Sequence, residues 1–118
     1  ECIAGMTDGS EDYESVVKKE AFEEAGLNLT ELEFMLSYLS SPGGTTERLF
    51  LYLAHADLSQ MSTGIYGLDT EGEDINTHIM HVDEALQRLN RGEIDNAATV
   101  ICLQWLALNR DRIRKKWA

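Results

Sequence analysis

The chain has 118 residues, of which 43% are hydrophobic and 8% aromatic, so its composition is that of a folded domain and excludes a disordered segment. With 21 acidic and 10 basic residues its formal charge is −11, which disfavours nucleic acid and anionic membranes as partners because both would repel it. No apolar run approaches the roughly 20 residues that span a bilayer, and no signal-peptide pattern opens the chain. These features predict one soluble, cytoplasmic domain over residues 1–118.

The first residues, "ECIAGM", are already apolar at position 2 and predict the tail of a strand over residues 2–4. An opening of this kind is typical of the interior of a longer protein. Cys2 and Cys102 are far apart and form no disulfide-framework pattern, so we expect two free, buried thiols in a reducing compartment.

A helix is predicted next, over residues 12–25. Ser10 or Asp12 supplies an N-cap oxygen, and Gly26 is a stop signal. Two strands follow at 32–41 and 47–56, both rich in apolar and aromatic residues and joined by a glycine-containing loop, a pattern that favours a hairpin.

The remainder of the chain predicts a long polar connection over 57–74, a strand over 75–82, a short helix over 82–92 and a terminal helix over 95–118. Strands and helices mixed without a strict βαβ rhythm indicate an α+β fold or an α/β/α sandwich on a mixed sheet. We expect the apolar run of the terminal helix to serve as core or as an interface.

The first helix carries its carboxylates on an unusual face. Glu20, Glu23 and Glu24 fall within an arc of about 100 degrees that also holds or borders apolar residues. A surface helix normally separates charge from its apolar stripe, and like charges at these spacings repel. Two interpretations follow: a solvated face with Lys18 and Lys19 as intrahelical partners, or a site where a divalent cation binds carboxylate oxygens.

A longer frame surrounds these glutamates. Five residues separate Gly5 from Glu11, and seven more precede the stretch "KEAFEEAGL". The spacing resembles the Nudix box of the Nudix hydrolases, G-x5-E-x7-R-E-U-x-E-E-x-G-U with U aliphatic. The matches span 23 residues and comprise Gly5, Glu11, Glu20, Glu23, Glu24, Gly26 and Leu27.

Two positions depart from the pattern. Lys19 stands where the family has arginine, which keeps the charge but loses the planar two-point fork. Ala21 is small for the aliphatic position. The resemblance implies a Nudix-like α/β/α sandwich that apparently lacks the N-terminal strands of the family.

The resemblance also implies Mg²⁺-dependent hydrolysis of a pyrophosphate, with Mn²⁺ as the alternative ion. The metal would be held by the Ala4 carbonyl and by Glu20 and Glu24, with Glu23 assisting. Pro42, fifteen residues after Leu27, resembles the mark of family members that hydrolyse ADP-ribose to AMP and ribose 5-phosphate.

In those members a late loop supplies the base that activates water. The matching loop here is "DTEGEDI", which suggests Glu71 as base and Glu73 as a second metal contact, with their order open to exchange. The same resemblance implies substrate contacts at four positions: Met6, Lys19, Ser41 and Glu47.

Three functions therefore follow as hypotheses. The first is hydrolysis of ADP-ribose by a homodimer; the second is hydrolysis of another nucleoside diphosphate sugar. The third, from a different class, is an inactive ligand-binding or assembly module that keeps the box but lacks the nucleoside pocket.

Overall fold

The computed structural model describes residues 1–61, 64–66 and 75–118. The fold of these residues is α/β, as predicted, with three helices and two antiparallel strand pairs. The sandwich on a mixed sheet stays a prediction. The elements in chain order are α1 (Tyr13–Ala25), β1 (Glu31–Leu39), β2 (Arg48–His55), a 3₁₀ turn (Leu58–Gln60), β3 (Gly64–Tyr66), β4 (Ile75–Thr77), α2 (Val82–Asn90) and α3 (Ala97–Lys116).

Helix α1 begins and ends where its sequence signals predict. The Asp12 carboxylate accepts a hydrogen bond from the Ser15 amide at 2.8 Å, which satisfies one of the unpaired N–H groups of the first turn. At the other end Gly26 adopts φ 67°, a left-handed conformation that glycine enters without a steric penalty. Its N–H donates to the Phe22 carbonyl at 2.9 Å. The helix is therefore closed at both ends.

Strands β1 and β2 form the predicted hairpin. At one end the Thr30 amide donates to the His55 carbonyl at 2.9 Å, and at the other the Ser40 amide donates to the Glu47 carbonyl at 3.2 Å. The turn is tightened by the Ser41 carbonyl, which accepts from the amides of residues 44 and 45. The loop that carries Pro42 is thus an ordered turn.

Strands β3 and β4 pair antiparallel, with Gly64 opposite Thr77 and Tyr66 opposite Ile75. Two predictions are corrected here. Strand β3 lies inside the segment 57–74 that was expected to be a connection, and the strand predicted over 75–82 ends at Thr77. Residues 78–80 have no strand structure, and His81 is the N-cap of α2, its ring nitrogen accepting from the Asp83 amide at 3.1 Å.

The strand expected over residues 2–4 is also wrong, because these residues have no strand structure. The physical reason lies in the groups that accept hydrogen bonds from their backbone amides. The Cys2 N–H donates to the Thr99 hydroxyl and the Ala4 N–H to the Glu24 carboxylate, so side chains replace a neighbouring strand as acceptors.

The last two helices pack against each other. Asn96 caps α3 by accepting from the Thr99 amide at 3.1 Å, and Arg110 on α3 donates to Asp83 on α2 at 2.6 Å. That hydrogen bond, with the charge of Arg110, lowers the pKa of Asp83. Among the described residues, none of the helices combines the length and apolar character that crossing a bilayer requires.

The described residues group into two compact units. One comprises Glu1–Cys2, Phe34–Leu51 and Met80–Ala118, and the other comprises Ile3–Glu33 and Tyr52–Ile79. The second unit holds α1 in contact with β3 and β4. Both cysteines are free, as expected, but Cys2 is exposed and Cys102 half-buried, so the expectation of two buried thiols is wrong.

Candidate metal centre

The glutamates of α1 lie on a face that is partly withdrawn from water. Glu20, Glu23 and Glu24 are all half-buried, and they alternate with Ala21 and Ala25, which are only 3% and 2% exposed. A solvated charge face would leave its carboxylates open to water. The small side chain at position 21, a departure from the box, fits a position with almost no free surface.

Gly5 packs directly against one of these carboxylates. A Cβ atom placed on Gly5 would overlap Cγ, Cδ and Oε1 of Glu20, at separations that real Cβ atoms do not adopt. A side chain on Gly5 would therefore displace the Glu20 carboxylate from its position against the backbone. The first residue of the box is explained by this contact.

Ala4, one residue earlier, contacts the next turn of α1. Its N–H donates to Oε2 of Glu24 at 3.3 Å. Because Glu20 and Glu24 are four residues apart, they project from the same face of the helix. The backbone of Ala4 and Gly5 therefore runs along the Glu20 and Glu24 carboxylates.

The donor set suits a hard divalent cation better than a softer one. It offers carboxylate oxygens and a neighbouring backbone, the ligand types that Mg²⁺ prefers. Within residues 1–61, 64–66 and 75–118, no three His, Cys, Asp or Glu side chains come together closely enough to hold one ion. Magnesium fits such a sparse site, because it commonly binds one or two carboxylates and completes its shell with water and substrate phosphate.

The loop between Gly5 and α1 is held by short side-chain bonds that the sequence reasoning did not identify. Asp8 accepts from the Ser10 amide at 2.8 Å and from its hydroxyl at 2.5 Å. These bonds, together with the positive charge of Lys19, lower the pKa of Asp8. An Asp two residues before a Ser is typical of a turn, so the sequence alone could have predicted this contact.

The charges of the two lysines that precede the glutamates affect the pKa values of different carboxylates. The charge of Lys18 contributes at Asp12, where bonds from the Ser15 amide and hydroxyl are the larger causes of a lowered pKa. The charge of Lys19 contributes at Asp8, in the loop that follows Gly5. Lys19, at the position where the box has its arginine, is thus within electrostatic range of the Asp8 carboxylate.

The other predicted residues are distributed as follows. Met6 lies in the segment after Gly5 and is 92% exposed. Ser41 and Glu47 flank the hairpin turn and belong to the other compact unit. Glu71 and Glu73, predicted as base and metal contact, lie outside the described residues.

Comparison with known proteins first shows the class of proteins to which the chain is related. The chain is related over nearly all its length to bacterial pyrophosphatases whose names specify nucleoside diphosphate sugars. No model of a known protein family matches it.

Particular relatives narrow this class. The chain is 44% identical over 118 residues to the ADP-ribose pyrophosphatase of Escherichia coli (strain K12), and 42% identical over 117 residues to that of Haemophilus influenzae. It is 37% identical over 108 residues to the GDP-mannose pyrophosphatase of Cronobacter sakazakii. These alignments cover 100%, 99% and 92% of the chain, but 56%, 54% and 55% of the relatives. The predicted relation to bacterial ADP-ribose pyrophosphatases is confirmed, and the chain spans about half their length.

Proposed function

We propose that this protein is a metal-dependent hydrolase of nucleoside diphosphate sugars, with ADP-ribose as substrate and AMP and ribose 5-phosphate as products. The observation that carries the proposal is the approach of the Ala4–Gly5 backbone to the Glu20 and Glu24 carboxylates on α1. A homodimer, a cytoplasmic location and the α/β/α sandwich belong to the same proposal.

The Glu20 and Glu24 carboxylates and the Ala4 carbonyl would hold the metal. A bound Mg²⁺ would supply positive charge that neutralises the pyrophosphate and would lower the pKa of the attacking water. Glu23, half-buried on the same helix, adds negative charge that favours the cation. The protein supplies a fixed set of oxygen atoms, and Gly5 keeps Glu20 in place by leaving no side chain between the backbone and the carboxylate.

In the reaction, water adds to one phosphorus of the pyrophosphate and the bridging P–O bond breaks. A general base must take a proton from that water. We assign this role to Glu71 and a metal contact to Glu73, both of which rest on the resemblance. The positive charge of Lys19, on the loop side of α1, would stabilise negative charge on the phosphate oxygens.

ADP-ribose is favoured over GDP-mannose by the comparisons. The relatives named for ADP-ribose are 42–44% identical to the chain, whereas those named for GDP-mannose are 33–37% identical. A product assay separates the two. The purified protein is incubated with Mg²⁺ and either ADP-ribose or GDP-mannose, and products are resolved by ion-exchange chromatography. Release of AMP from ADP-ribose is expected, and turnover of GDP-mannose alone would overturn the substrate assignment.

The metal assignment is tested on α1 itself. Glu20→Gln and Glu24→Gln each remove a ligand charge while keeping the side-chain shape, so we expect each to lower kcat by at least about a hundredfold. Glu14→Gln is the matched control, because Glu14 is exposed in the first turn of the same helix. Full activity in either ligand variant would show that the carboxylates do not hold the metal.

Calorimetry separates hydrolysis from simple binding. Titration with ADP-ribose and Mg²⁺ should give heat of binding followed by the heat of continued turnover. Binding without turnover would identify a ligand-binding module instead of an enzyme.

A further inference from the structure

The first two residues are attached to the beginning of α3. The Cys2 amide donates to the Thr99 hydroxyl at 3.0 Å, and the Asn96 side-chain amide donates to the Glu1 carboxylate at 2.9 Å. Thr99 is buried, and its hydroxyl also donates to the Asn96 side-chain oxygen at 3.0 Å. Cys2 is therefore held against a defined turn of the helix.

This attachment brings Cys2 to the second cysteine of the chain. Cys102 lies three residues after Thr99 on α3, so the side chains of Thr99 and Cys102 project from the same face of the helix. The side chains of Cys2 and Cys102 lie close enough to interact with each other. A disulfide between them would have a sulfur–sulfur distance of about 2.05 Å.

The two thiols differ in access to solvent. Cys2 is exposed, whereas Cys102 is half-buried. An oxidant in solution therefore reaches Cys2 first, and Cys102 is in position to react with whatever forms there. This is the arrangement of a reactive cysteine beside a resolving cysteine.

We propose that Cys2 and Cys102 are a redox modification site that forms a reversible intramolecular disulfide when the protein meets a hydroperoxide. The Cys2 sulfur takes one oxygen from the hydroperoxide, giving a sulfenic acid and releasing an alcohol, or water when the oxidant is hydrogen peroxide. The Cys102 sulfur then attacks the Cys2 sulfur, the S–O bond breaks and water leaves. The two thiols are oxidised by two electrons in total, and the hydroperoxide is reduced by the same two.

Other roles for the pair fit less well. A zinc or iron site needs more ligands, and no group of three metal-ligating side chains exists among the described residues. Cys2 and Cys102 are the two cysteines of the sequence. The proposal is independent of the proposed hydrolase activity, and its tests do not measure that activity.

Peptide mapping tests the disulfide directly. The reduced protein is treated with a small excess of hydrogen peroxide, blocked with N-ethylmaleimide and digested with trypsin. The expected product links peptide 1–18 to peptide 92–110, with a mass lower than the sum of the two by two hydrogen atoms, and dithiothreitol reverses it. Absence of this linkage in protein whose thiols have reacted would overturn the proposal.

Isotope mixing distinguishes bonds within one chain from bonds between chains. An equal mixture of unlabelled and ¹⁵N-labelled protein should give linked peptides that are wholly light or wholly heavy. Light–heavy pairs in the statistical proportion would show that the bond joins two copies, which contradicts the proposal.

Two single variants assign the order of reaction. In Cys102→Ser, the sulfenic acid at Cys2 has no thiol partner and should be trapped by dimedone. In the matched variant Cys2→Ser, dimedone labelling of Cys102 should be at least about tenfold lower because that thiol is less accessible. Stronger labelling of Cys102 would reverse the assigned order and overturn it.

Thermal unfolding gives a second readout. The disulfide closes a loop from residue 2 to residue 102, which restricts the unfolded chain, so the oxidised protein should melt at a higher temperature than the reduced protein. Peroxide should not raise the melting temperature of either serine variant. A lower melting temperature in the oxidised wild type would show that the bond distorts the native structure, against the proposal.

Discussion

At the scale of single residues, a side chain added at Gly5 would meet the Glu20 carboxylate. We expect Gly5→Ala to push the Glu20 carboxylate away from the backbone, because the added Cβ would overlap its Cγ and Cδ. Changes in groups that orient metal ligands typically weaken metal binding about tenfold to a hundredfold. Isothermal titration with Mn²⁺ should therefore show a dissociation constant at least about tenfold higher than that of the wild type.

Gly43→Ala is the matched control, since a Cβ at that glycine meets nothing within 4 Å. Its Mn²⁺ affinity should equal that of the wild type. If both glycine variants bound the ion normally, Gly5 would be explained by something other than the position of Glu20.

Lys18 and Lys19 give a second test of the candidate site, because these adjacent, exposed lysines influence different carboxylates. The Lys19 charge acts on the loop after Gly5, whereas the Lys18 charge acts at the N-cap of α1. Lys19→Met removes the proposed interaction of the ammonium group with the phosphate oxygens of the substrate. A charged hydrogen bond of this kind contributes about 1.5–3 kcal/mol, so the variant should lower kcat/KM for ADP-ribose by roughly tenfold or more.

In the same assay Lys18→Met should keep nearly full activity, and Lys19→Arg should equal or exceed the wild type, since arginine restores the planar fork. Equal losses in the two Met variants would mean that only the overall charge of the helix matters.

Residue spacing predicted which side chains share the face of α1, because the 3.6-residue period fixes their direction. It did not predict that no three metal-ligating side chains gather in the described residues. Side-chain rotamers decide such distances, and the sequence does not encode them locally. It also could not place Cys2 beside Cys102, since contacts between positions 100 residues apart depend on packing.

At the scale of elements, the correct predictions came from the capping residues at helix ends. Asp12, one of the two predicted N-cap candidates, and Gly26 cap α1, because an N-cap oxygen or a left-handed glycine acts through neighbouring backbone. Strand β3 was missed because it is only three residues long and pairs with residues about ten positions later. So short a run carries no reliable alternation, and only its partner makes it a strand.

The Asp12 cap predicts a pH dependence of stability. Bonds from the Ser15 amide and hydroxyl lower the pKa of Asp12 below its unfolded value of about 3.9. The cap therefore stabilises the protein above that value and is lost as pH falls through the lower folded pKa. Asp12→Asn keeps a cap oxygen but does not titrate.

Melting curves followed by circular dichroism should show the wild type above Asp12→Asn at neutral pH, with the gap closing as pH falls from about 5 to about 2. A gap that stays constant across this range would mean that the charge of Asp12 contributes nothing to the cap.

The C-terminal end of α1 predicts a backbone effect. Gly26 has φ 67°, so Gly26→Ala should cost about 1 kcal/mol, because a Cβ is strained in the left-handed region. In a chain of this size the melting temperature should fall by roughly 4–8 °C. Gly26→Asn, which tolerates this region better, should lose clearly less; an equal loss would point to side-chain crowding instead of backbone strain.

At the scale of the whole molecule, the formal charge of −11 complicates any test for bound metal. Any cation raises the stability of so acidic a chain by screening repulsion, and at 0.1 M ionic strength this screening acts over about 10 Å. A specific site adds a second contribution, because an ion that binds only the folded state stabilises it by mass action. The two contributions differ in their dependence on the ion.

We therefore expect MgCl₂ to raise the melting temperature more than NaCl at equal ionic strength. The excess should disappear in the double variant Glu20→Gln/Glu24→Gln, while the response to NaCl should persist because most of the acidic residues remain. Glu14→Gln/Glu31→Gln removes the same charge from exposed positions and should keep the excess. Differential scanning fluorimetry across a salt series measures all six curves, for three proteins in two salts. Identical shifts with the two salts in the wild type would mean that the magnesium response comes from screening alone, and that Glu20 and Glu24 hold no ion in this chain.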